Sequence, residues 1–394
     1  MRALVIGGGI FGVTTALELS ARGLDVTLAD PGPIPHPLAE STDISKVVRS
    51  DYGADLDYTI LGERAIEGWR RWNAEWPAPL YHETGVAFLS RTPMAPGGFE
   101  HDSFATLSAR GHRIERLGAA EIARRFPAYR PGALVDGYLH RDGGWAESGA
   151  VVASLAAQCR ARGVAVRQGC AIDRLGDSPA RAALAGQDAL AADLVVVAAG
   201  SWTPRLLPAL AGSLRAVGQP VFHLRPADPS PFEAARFPVF GADISRTGYY
   251  GFPVNRDGIV KIANHGAGIA MDASGPDGGE VPRVTTPAQE RALREMLRET
   301  FPALADAPLA GTRLCVYGDS LDGSFWIARD PDRPHVTVAA GGSGHAFKFA
   351  PVLGPLIADI ALGVPHPLAH RLRWRPGPVA ASGGDAARAG PQNR

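Results

Sequence analysis

The sequence contains little cysteine, no excess charge of either sign and no long apolar segment. Its 394 residues include three cysteines, Cys159, Cys170 and Cys315, which are too few for a disulfide framework and lack the spacing of a zinc site. Forty basic residues balance forty acidic ones, so no overall field attracts nucleic acid or an anionic membrane surface. These absences predict a cytoplasmic protein that holds no metal and acts through local sites.

No stretch approaches the roughly 20 apolar residues that a membrane span requires. The apolar N-terminus could suggest a signal peptide, but glycines and Glu18 interrupt it and no cleavage pattern follows. We therefore expect neither a membrane anchor nor a removed leader. The 45% apolar and 20% charged content is typical of a globular protein, and the length allows two domains.

A glycine-rich turn lies close to the N-terminus. The apolar run at 3–6 predicts a strand, helical spacing over 13–19 predicts a helix that ends near Gly23, and 26–28 predict a second strand. The turn between strand and helix reads Gly7-Gly8-Gly9-Ile10-Phe11-Gly12. This order of elements predicts a βαβ unit.

The positions of the glycines match those of a dinucleotide-binding loop. Gly7 allows the tight turn, Gly9 lets the backbone approach a pyrophosphate, and Gly12 lets the helix pack close to the strand. Asp30 falls where the second strand ends, as required of an acid that binds a ribose. Because strand, helix and acid are all in register, we interpret the segment as a cofactor-binding unit.

The remaining patterns predict two interleaved domains. A helix over 147–163 and strands at 164–166 and 193–200 continue the α/β pattern. Strand-like runs at 249–252 and 259–262, with a single good helix, predict an α+β region. That helix begins at the capping-box pair Thr286 and Gln289.

The predicted fold class is α/β, with a discontinuous Rossmann-type dinucleotide-binding domain and an α+β substrate domain that contains a mixed or antiparallel sheet. The boundaries are 1–84, 147–214 and 318–375 for the first domain, and 85–146 and 215–317 for the second. Residues 376–394 are rich in Pro, Gly, Ala and Ser and predict a disordered tail.

A cysteine and a second glycine-rich turn lie near the C-terminus. The segment 313–317 reads Arg-Leu-Cys-Val-Tyr, and 341–349 reads Gly-Gly-Ser-Gly-His-Ala-Phe-Lys-Phe. With these segments the chain resembles the D-amino-acid-oxidase superfamily, within it the monomeric sarcosine oxidase and N-methyltryptophan oxidase group. The resemblance runs from residue 1 to about 372. Its most specific part is the C-terminal pair of segments, since the N-terminal motif would fit many flavoenzymes.

The resemblance implies that Cys315 is joined through sulfur to the 8α-methyl of FAD. It also implies that Lys348, in the turn with Gly344 and His345, binds the substrate carboxylate together with Arg49. An arginine fork suits a carboxylate, and a lysine adds a compact second charge. From the residues alone, Cys315 would be a small buried apolar side chain and Arg49 a surface cation.

Three further residues gain a role from the resemblance, and a fourth is placed by its spacing on a strand. Tyr250 and His265 match residues that contact substrate, and Lys261 matches a lysine that promotes oxygen reduction, because a buried ammonium stabilises negative charge on O₂. Without the resemblance Lys261 would be interpreted as an edge-strand lysine. Tyr317 lies two residues beyond Cys315, so on a strand it faces the same way.

One position departs from the sarcosine-oxidising pattern. Lys46 stands where those members have an arginine, and a lysine there is also familiar from fructosyl-amino-acid oxidases. The sequence therefore predicts a monomeric FAD-dependent oxidase that converts a secondary-amine amino acid to an imine and reduces O₂ to H₂O₂. A fructosyl-amino-acid or pipecolate-type imino acid oxidase, an FAD-dependent dehydrogenase with another acceptor, and a non-catalytic flavin-binding module remain alternatives.

Overall fold

The N-terminal glycine turn connects a buried strand to a helix in the structure. The computed structural model describes residues 1–178, 181–186, 188–272, 283–375 and 388. The strands in these ranges are, in chain order, β1 Arg2–Ile6, β2 Asp25–Asp30, β3 Lys46–Val48, β4 Tyr81–His82, β5 Val86–Ser90, β6 Ile114–Gly118, β7 Asp136–His140, β8 Gly144–Ala146, β9 Ala165–Gln168, β10 Arg174–Ser178, β11 Arg181–Ala185, β12 Asp188–Leu190, β13 Leu194–Val197, β14 Leu214–Leu224, β15 Val239–Ala242, β16 Tyr249–Gly251, β17 Val260–Asn264, β18 Ile269–Met271, β19 Leu309–Ser320, β20 Trp326–Arg329 and β21 Val336–Ala340.

The helices alternate with these strands in the first part of the chain and become sparse in the middle. In chain order they are α1 Ile10–Ala21, α2 Leu56–Glu75, α3 Phe99–Ala109, α4 Ala119–Arg125, α5 Ser148–Ala161, α6 Thr203–Leu206, α7 Ile244–Thr247, α8 Pro287–Thr300, α9 Ala350–Leu362 and α10 Ala369–Leu372.

A six-stranded sheet carries the glycine turn. Its order is β20-β21-β13-β1-β2-β9, and every pair is parallel except β20 with β21. All four residues of β13, Leu-Val-Val-Val, are buried, as expected for a central parallel strand covered on both faces. Helices α1, α5 and α9 share one apolar cluster with one face of this sheet.

A nine-stranded sheet forms the second large layer. Its order is β18-β14-β17-β16-β15-β5-β7-β6, with β19 also paired to β14. The long strands β14 and β19 run antiparallel over most of their lengths, whereas β15 and β5 are parallel, so the sheet is mixed. Cys315 lies on β19 and Lys261 on β17, which places both on strands that pair with β14.

The predicted fold class is confirmed by this α/β architecture with separate parallel and mixed sheets. Helix α8 begins at the predicted capping box, in which Thr286 and Gln289 exchange both hydrogen bonds. The division of the chain into two domains stays a prediction. The predicted tail falls outside the described residues, apart from Arg388.

The prediction of a single good helix in the middle regions was wrong. Helix α3 also forms there, although its apolar pattern is weak and it begins at Gly98 without a side-chain cap. Its buried side includes the polar residues Glu100 and Ser103 beside Phe99 and Leu107, so apolar periodicity alone did not mark it. Among the described residues no helix is long and apolar enough to cross a membrane.

The contact between α1 and α9 generates a stability prediction. A Cβ at Gly354 would lie 2.5 Å from the backbone oxygen of Thr14. Gly354→Ala should therefore lower the free energy of unfolding by about 1–3 kcal/mol despite the better helix propensity of alanine. Urea unfolding followed by circular dichroism measures this change. Gly212→Ala, where a Cβ would meet no atom within 4 Å, is the matched control, and stabilisation by Gly354→Ala would contradict the prediction.

Candidate active site

The loop between β1 and α1 has the shape of a phosphate cradle. Gly7 has φ +104°, and a Cβ there or at Gly12 would collide with neighbouring backbone oxygens. A Cβ at Gly9 would meet only the Ser41 hydroxyl oxygen, at 3.3 Å. The loop is therefore closed toward the sheet and open above Gly9, which is the side where a backbone can approach a pyrophosphate.

Asp30 supports the same loop at the end of β2. Its carboxylate accepts the Gly8 N–H at 2.7 Å and the Gly32 N–H at 2.9 Å. Burial raises the pKa of Asp30, and these two backbone hydrogen bonds oppose the rise only in part. α1 begins after Gly9 with no side-chain cap, so the positive end of the helix faces the open side of the loop. These residues fit the pyrophosphate and ribose of FAD.

Cys315 lies in a buried pocket of polar and aromatic side chains. Its Sγ is 3.5 Å from Lys46 Nζ, and it packs in one cluster with Tyr250 and Tyr317. The two tyrosines are hydrogen-bonded to each other, and burial raises the pKa of Tyr250 to about 12. The His265 ring lies 5.8 Å from the Tyr317 ring. The structure thus brings four of the predicted residues, Lys46, Tyr250, Tyr317 and His265, into one region with Cys315.

Two ionisable side chains, Lys46 and Glu40, lie near that sulfur. Burial lowers the pKa of Lys46, but negative charge at Cys315, Asp43 and Glu40 outweighs burial, so the pKa of Lys46 is raised. Burial raises the pKa of Glu40 to about 7, although the ammonium of Lys46 opposes this change. Glu40 also accepts a hydrogen bond from the Gly318 N–H at 3.3 Å. Lys46 is therefore a cation at neutral pH, with the ionised carboxylate of Asp43 nearby.

Lys261 forms a buried ion pair beneath this pocket. Its Nζ is 2.6 Å from Asp43 Oδ2 and 2.6 Å from the Ser45 carbonyl oxygen. Burial lowers the pKa of Lys261 to about 8, with Asp43 opposing the change. Burial raises the pKa of Asp43, but the charge of Lys261 and a hydrogen bond from His223 outweigh it and bring the pKa well below its usual range.

The interpretation of Lys261 as an edge-strand lysine was wrong. β17 lies between β14 and β16 inside the nine-stranded sheet, and the Lys261 side chain is only 1% exposed. Burial of a lysine on a central strand is tolerated because Asp43 and a carbonyl oxygen compensate its charge. Lys261 is therefore buried within the pocket and does not protect a sheet edge.

Arg49 and Lys348 meet at one aromatic ring. The Arg49 guanidinium carbon lies 4.9 Å from the centre of the Tyr52 ring, and Lys348 Nζ lies 5.2 Å from the same point. Both cations are buried, which contradicts the interpretation of Arg49 as a surface cation. Lys348 Nζ donates to the Tyr52 hydroxyl at 3.0 Å and to the His345 carbonyl at 3.0 Å.

A short hydrogen-bond chain extends from Lys348 into the second glycine turn. The Tyr52 hydroxyl is 2.9 Å from His345 Nδ1, and His345 Nε2 is 2.9 Å from the Gly323 carbonyl oxygen. Because that carbonyl can only accept, Nε2 carries a proton, and in the neutral ring Nδ1 accepts the Tyr52 proton. Gly344 has φ +76°, and a Cβ there would collide with the Tyr317 ring, so the turn packs directly on the cysteine pocket.

Sequence reasoning missed three residues of this region. Asp43 carries the counter-charge of Lys261, Tyr52 connects both carboxylate-binding candidates, and Glu40 lies next to Lys46. Tyr52 stands in the same segment as Arg49, three residues further on, which is the signal that could have found it. No sequence pattern marks Asp43 or Glu40, because their partners are distant in the chain.

The loop, the parallel sheet and the buried cation pocket together define a dinucleotide-binding oxidoreductase. The chain belongs to the DAO family of FAD dependent oxidoreductases, whose family model matches residues 2–360. It is 26% identical to monomeric sarcosine oxidase of Bacillus sp. (strain B-0618) over 364 residues, which is 91% of each chain. It is 27% identical to N-methyl-L-tryptophan oxidase of Salmonella arizonae, over 91% of this chain and 94% of that protein.

The fold has solved counterparts as well. The fructosamine oxidase of Aspergillus fumigatus, Amadoriase II, matches with a TM-score of 0.82 and 25% identity. This match covers 100% of the chain and 94% of that structure. Family membership confirms the predicted resemblance and implies FAD as the cofactor.

Proposed function

We propose that the protein is an oxidase of an amino acid that carries a secondary amine. The observation that carries the proposal is the placement of two buried cations, Arg49 and Lys348, on the single ring of Tyr52. A substrate carboxylate bound between them would accept charge-assisted hydrogen bonds from both cations. The named relatives that oxidise sarcosine and N-methyl-L-tryptophan support the same substrate class.

Different residues are assigned to the carboxylate and to the amine-bearing carbon of the substrate. Bound FAD supplies the two-electron acceptor for oxidation of the C–N bond, and the resulting imine hydrolyses. Arg49 and Lys348 bind the carboxylate, and Tyr250, His265 and Tyr317 surround the amine-bearing carbon. Two cations at the carboxylate disfavour a third positive charge nearby, so the amine binds in its neutral, oxidisable form.

Lys261 is assigned to O₂, which is reduced to H₂O₂. Its ammonium stabilises the negative charge that develops on oxygen, and in a buried pocket this stabilisation is far larger than in water. Asp43 keeps the ammonium in place and raises its pKa. A dehydrogenase that uses another acceptor would not need Lys261.

A second substrate is favoured by Lys46. This lysine stands beside Cys315, and the structural match to a fructosamine oxidase extends over the whole chain. An amino acid that carries a fructosyl group on its nitrogen is also a secondary amine with a carboxylate. The pocket is therefore compatible with this larger substrate, and with cyclic imino acids of the pipecolate type.

The first prediction concerns the cofactor linkage. We expect FAD to be joined through Cys315 Sγ, because the ammonium of Lys46 at 3.5 Å stabilises negative charge on the sulfur, and the thiolate is the nucleophilic form. Wild-type protein precipitated with acid should stay yellow and fluoresce in a denaturing gel. Cys315→Ala should release all of its flavin, whereas Cys170→Ala should retain it. A colourless precipitate from fully loaded wild-type protein would refute the linkage.

The second prediction separates the oxygen half-reaction from the substrate half-reaction. Lys261→Met should slow reoxidation by O₂ by roughly 100-fold or more, since each 1.36 kcal/mol of lost stabilisation is tenfold in rate, and should leave anaerobic flavin reduction nearly intact. Stopped-flow absorbance measures both steps. Equal losses in both would assign Lys261 a structural role.

The pH dependence tests the same assignment. The protonated form of Lys261 is the active one, so reoxidation should fall as the pH rises through about 8, the pKa of that side chain. Asp43 raises this pKa, so in Asp43→Asn the fall should move to lower pH. An unchanged profile in Asp43→Asn would contradict the assignment.

The third prediction concerns substrate charge. Simple carboxylates without an amine should inhibit competitively, and Arg49→Ala or Lys348→Ala should weaken them by about 1.5–3 kcal/mol, as for a charge-assisted hydrogen bond. Inhibition constants and flavin difference spectra report binding. The control is Arg116→Ala, which removes a half-exposed arginine over the Phe104 ring. Preference for a decarboxylated amine would instead indicate an amine oxidase.

A further inference from the structure

Two histidines and an aspartate that belong to none of the predicted sites lie close together. His112 follows α3, His140 ends β7, and Asp142 lies in the turn after β7. His112 Nδ1 is 3.2 Å from His140 Nε2 and 3.8 Å from Asp142 Oδ2. The three ligand atoms lie within 4.8 Å of one another.

The outer nitrogen of each ring faces a carboxylate. His112 Nε2 is 2.8 Å from Glu63 Oε1, and His140 Nδ1 is 3.0 Å from Asp51 Oδ2. A carboxylate oxygen accepts from a ring N–H, so these two contacts favour the tautomers in which both outer nitrogens carry the protons.

In these tautomers His112 Nδ1 and His140 Nε2 present their lone pairs to each other across 3.2 Å. A metal ion bound to both nitrogens would remove the repulsion between the lone pairs. A histidine whose far N–H is bound by a carboxylate is the usual form of a metal-ligating histidine, because the carboxylate fixes the tautomer and raises ligand basicity. Here both histidines have that support.

We infer that His112, His140 and Asp142 bind a divalent transition metal of the zinc class. Zinc–nitrogen bonds of about 2.0–2.1 Å in tetrahedral geometry place two nitrogens about 3.3 Å apart, close to the observed 3.2 Å. Two imidazoles and one carboxylate suit zinc, whereas calcium and magnesium prefer oxygen ligands. His112 and Asp142 are slightly exposed, at 13% and 16%, which leaves an entry path and a fourth position for water.

Asp142 can serve as a ligand while it keeps its present partners. Arg113 binds Asp142 Oδ1 through Nε at 2.7 Å and Oδ2 through its backbone N–H at 3.0 Å, and Arg70 binds Oδ1 at 3.2 Å. Oδ2 retains a second lone pair, and it is the oxygen that faces His112. A small rotation of the Asp142 side chain, which lies near the surface, would shorten its 3.8 Å distance from His112 to the spacing that zinc requires.

The proposed metal is structural. Asp51, which supports His140, is adjacent in sequence to Tyr52, and its second oxygen accepts the Tyr138 hydroxyl at 2.9 Å. A metal would tie the ends of α3 and β7 to the segment that carries Arg49. This site departs from the expectation that the protein holds no metal, which was based on cysteine spacing and did not consider histidines 28 residues apart in the chain.

The test uses FAD-loaded protein stripped with a chelator and then titrated with zinc chloride. We expect one zinc per chain by calorimetry and by elemental analysis after gel filtration, together with a zinc-dependent rise in melting temperature. His112→Gln and Asp142→Asn should each weaken zinc binding at least about 100-fold, and Glu63→Gln, which acts through His112, about 10–100-fold. The matched control is His101→Gln, which removes a partly exposed histidine beside Asp102 and should bind zinc as wild type does.

Zinc binding and anomalous diffraction on wild-type protein test the site even if a variant fails to fold. Anomalous diffraction at the zinc edge should show a peak between His112 Nδ1 and His140 Nε2. Wild-type protein that binds no stoichiometric zinc, or zinc that persists in both His112→Gln and Asp142→Asn, would overturn the inference. So would a melting temperature that varies with pH and not with zinc, since a shared proton would then be the cation between the rings.

Discussion

The burial of charge along one short segment is the constraint on which the rest of this structure depends. Residues 40–52 lie between β2 and α2 and carry the charged side chains of Asp43, Lys46, Arg49 and Asp51 into the interior. An isolated buried charge costs several kcal/mol, so each of these groups is tolerated only where another part of the chain supplies a partner. The packing of the two sheets is what brings those partners into reach.

The Lys261 and Asp43 pair illustrates why such groups are kept. A buried ion pair is often no more stabilising than a well-packed apolar pair of the same volume, whereas loss of one partner costs roughly 3–5 kcal/mol. Stability alone would therefore not select a lysine in the middle of a sheet. A cation that can act on an incoming molecule gives a reason to keep this lysine. Its pKa of about 8 lies close enough to neutral pH that both protonation states are accessible.

Two glycine turns lie next to this charged segment. The first, at Gly7 to Gly12, is shaped by the close approach of α1 to β1 and leaves its open side to a pyrophosphate. The second, at Gly341 to Gly344, lies against Tyr317 and contributes His345 to the chain of hydrogen bonds that ends at Lys348. In an FAD-dependent oxidoreductase a glycine turn at a helix N-terminus is a site where a pyrophosphate can bind.

Local patterns in the sequence determined the parts of this protein that depend on near neighbours. The unit β1–α1–β2, helix α5 and the capping box of α8 could all be predicted because their signals repeat within a few residues. Helix α3 could not, because it buries polar side chains that lack an apolar period. The roles of Cys315, Lys261 and Lys348 came from resemblance to a family and not from spacing.

Only the tertiary structure decided which charges meet. Asp43 and Lys261 are separated by 218 residues, and Tyr52 and Lys348 by 296, so neither contact has a local signature. The same holds for His112 and His140, which meet because β6 and β7 pair in register. A sequence determines which side chains can carry charge, but partners distant in the chain are chosen by strand order and packing, since electrostatic interactions depend on distance in space.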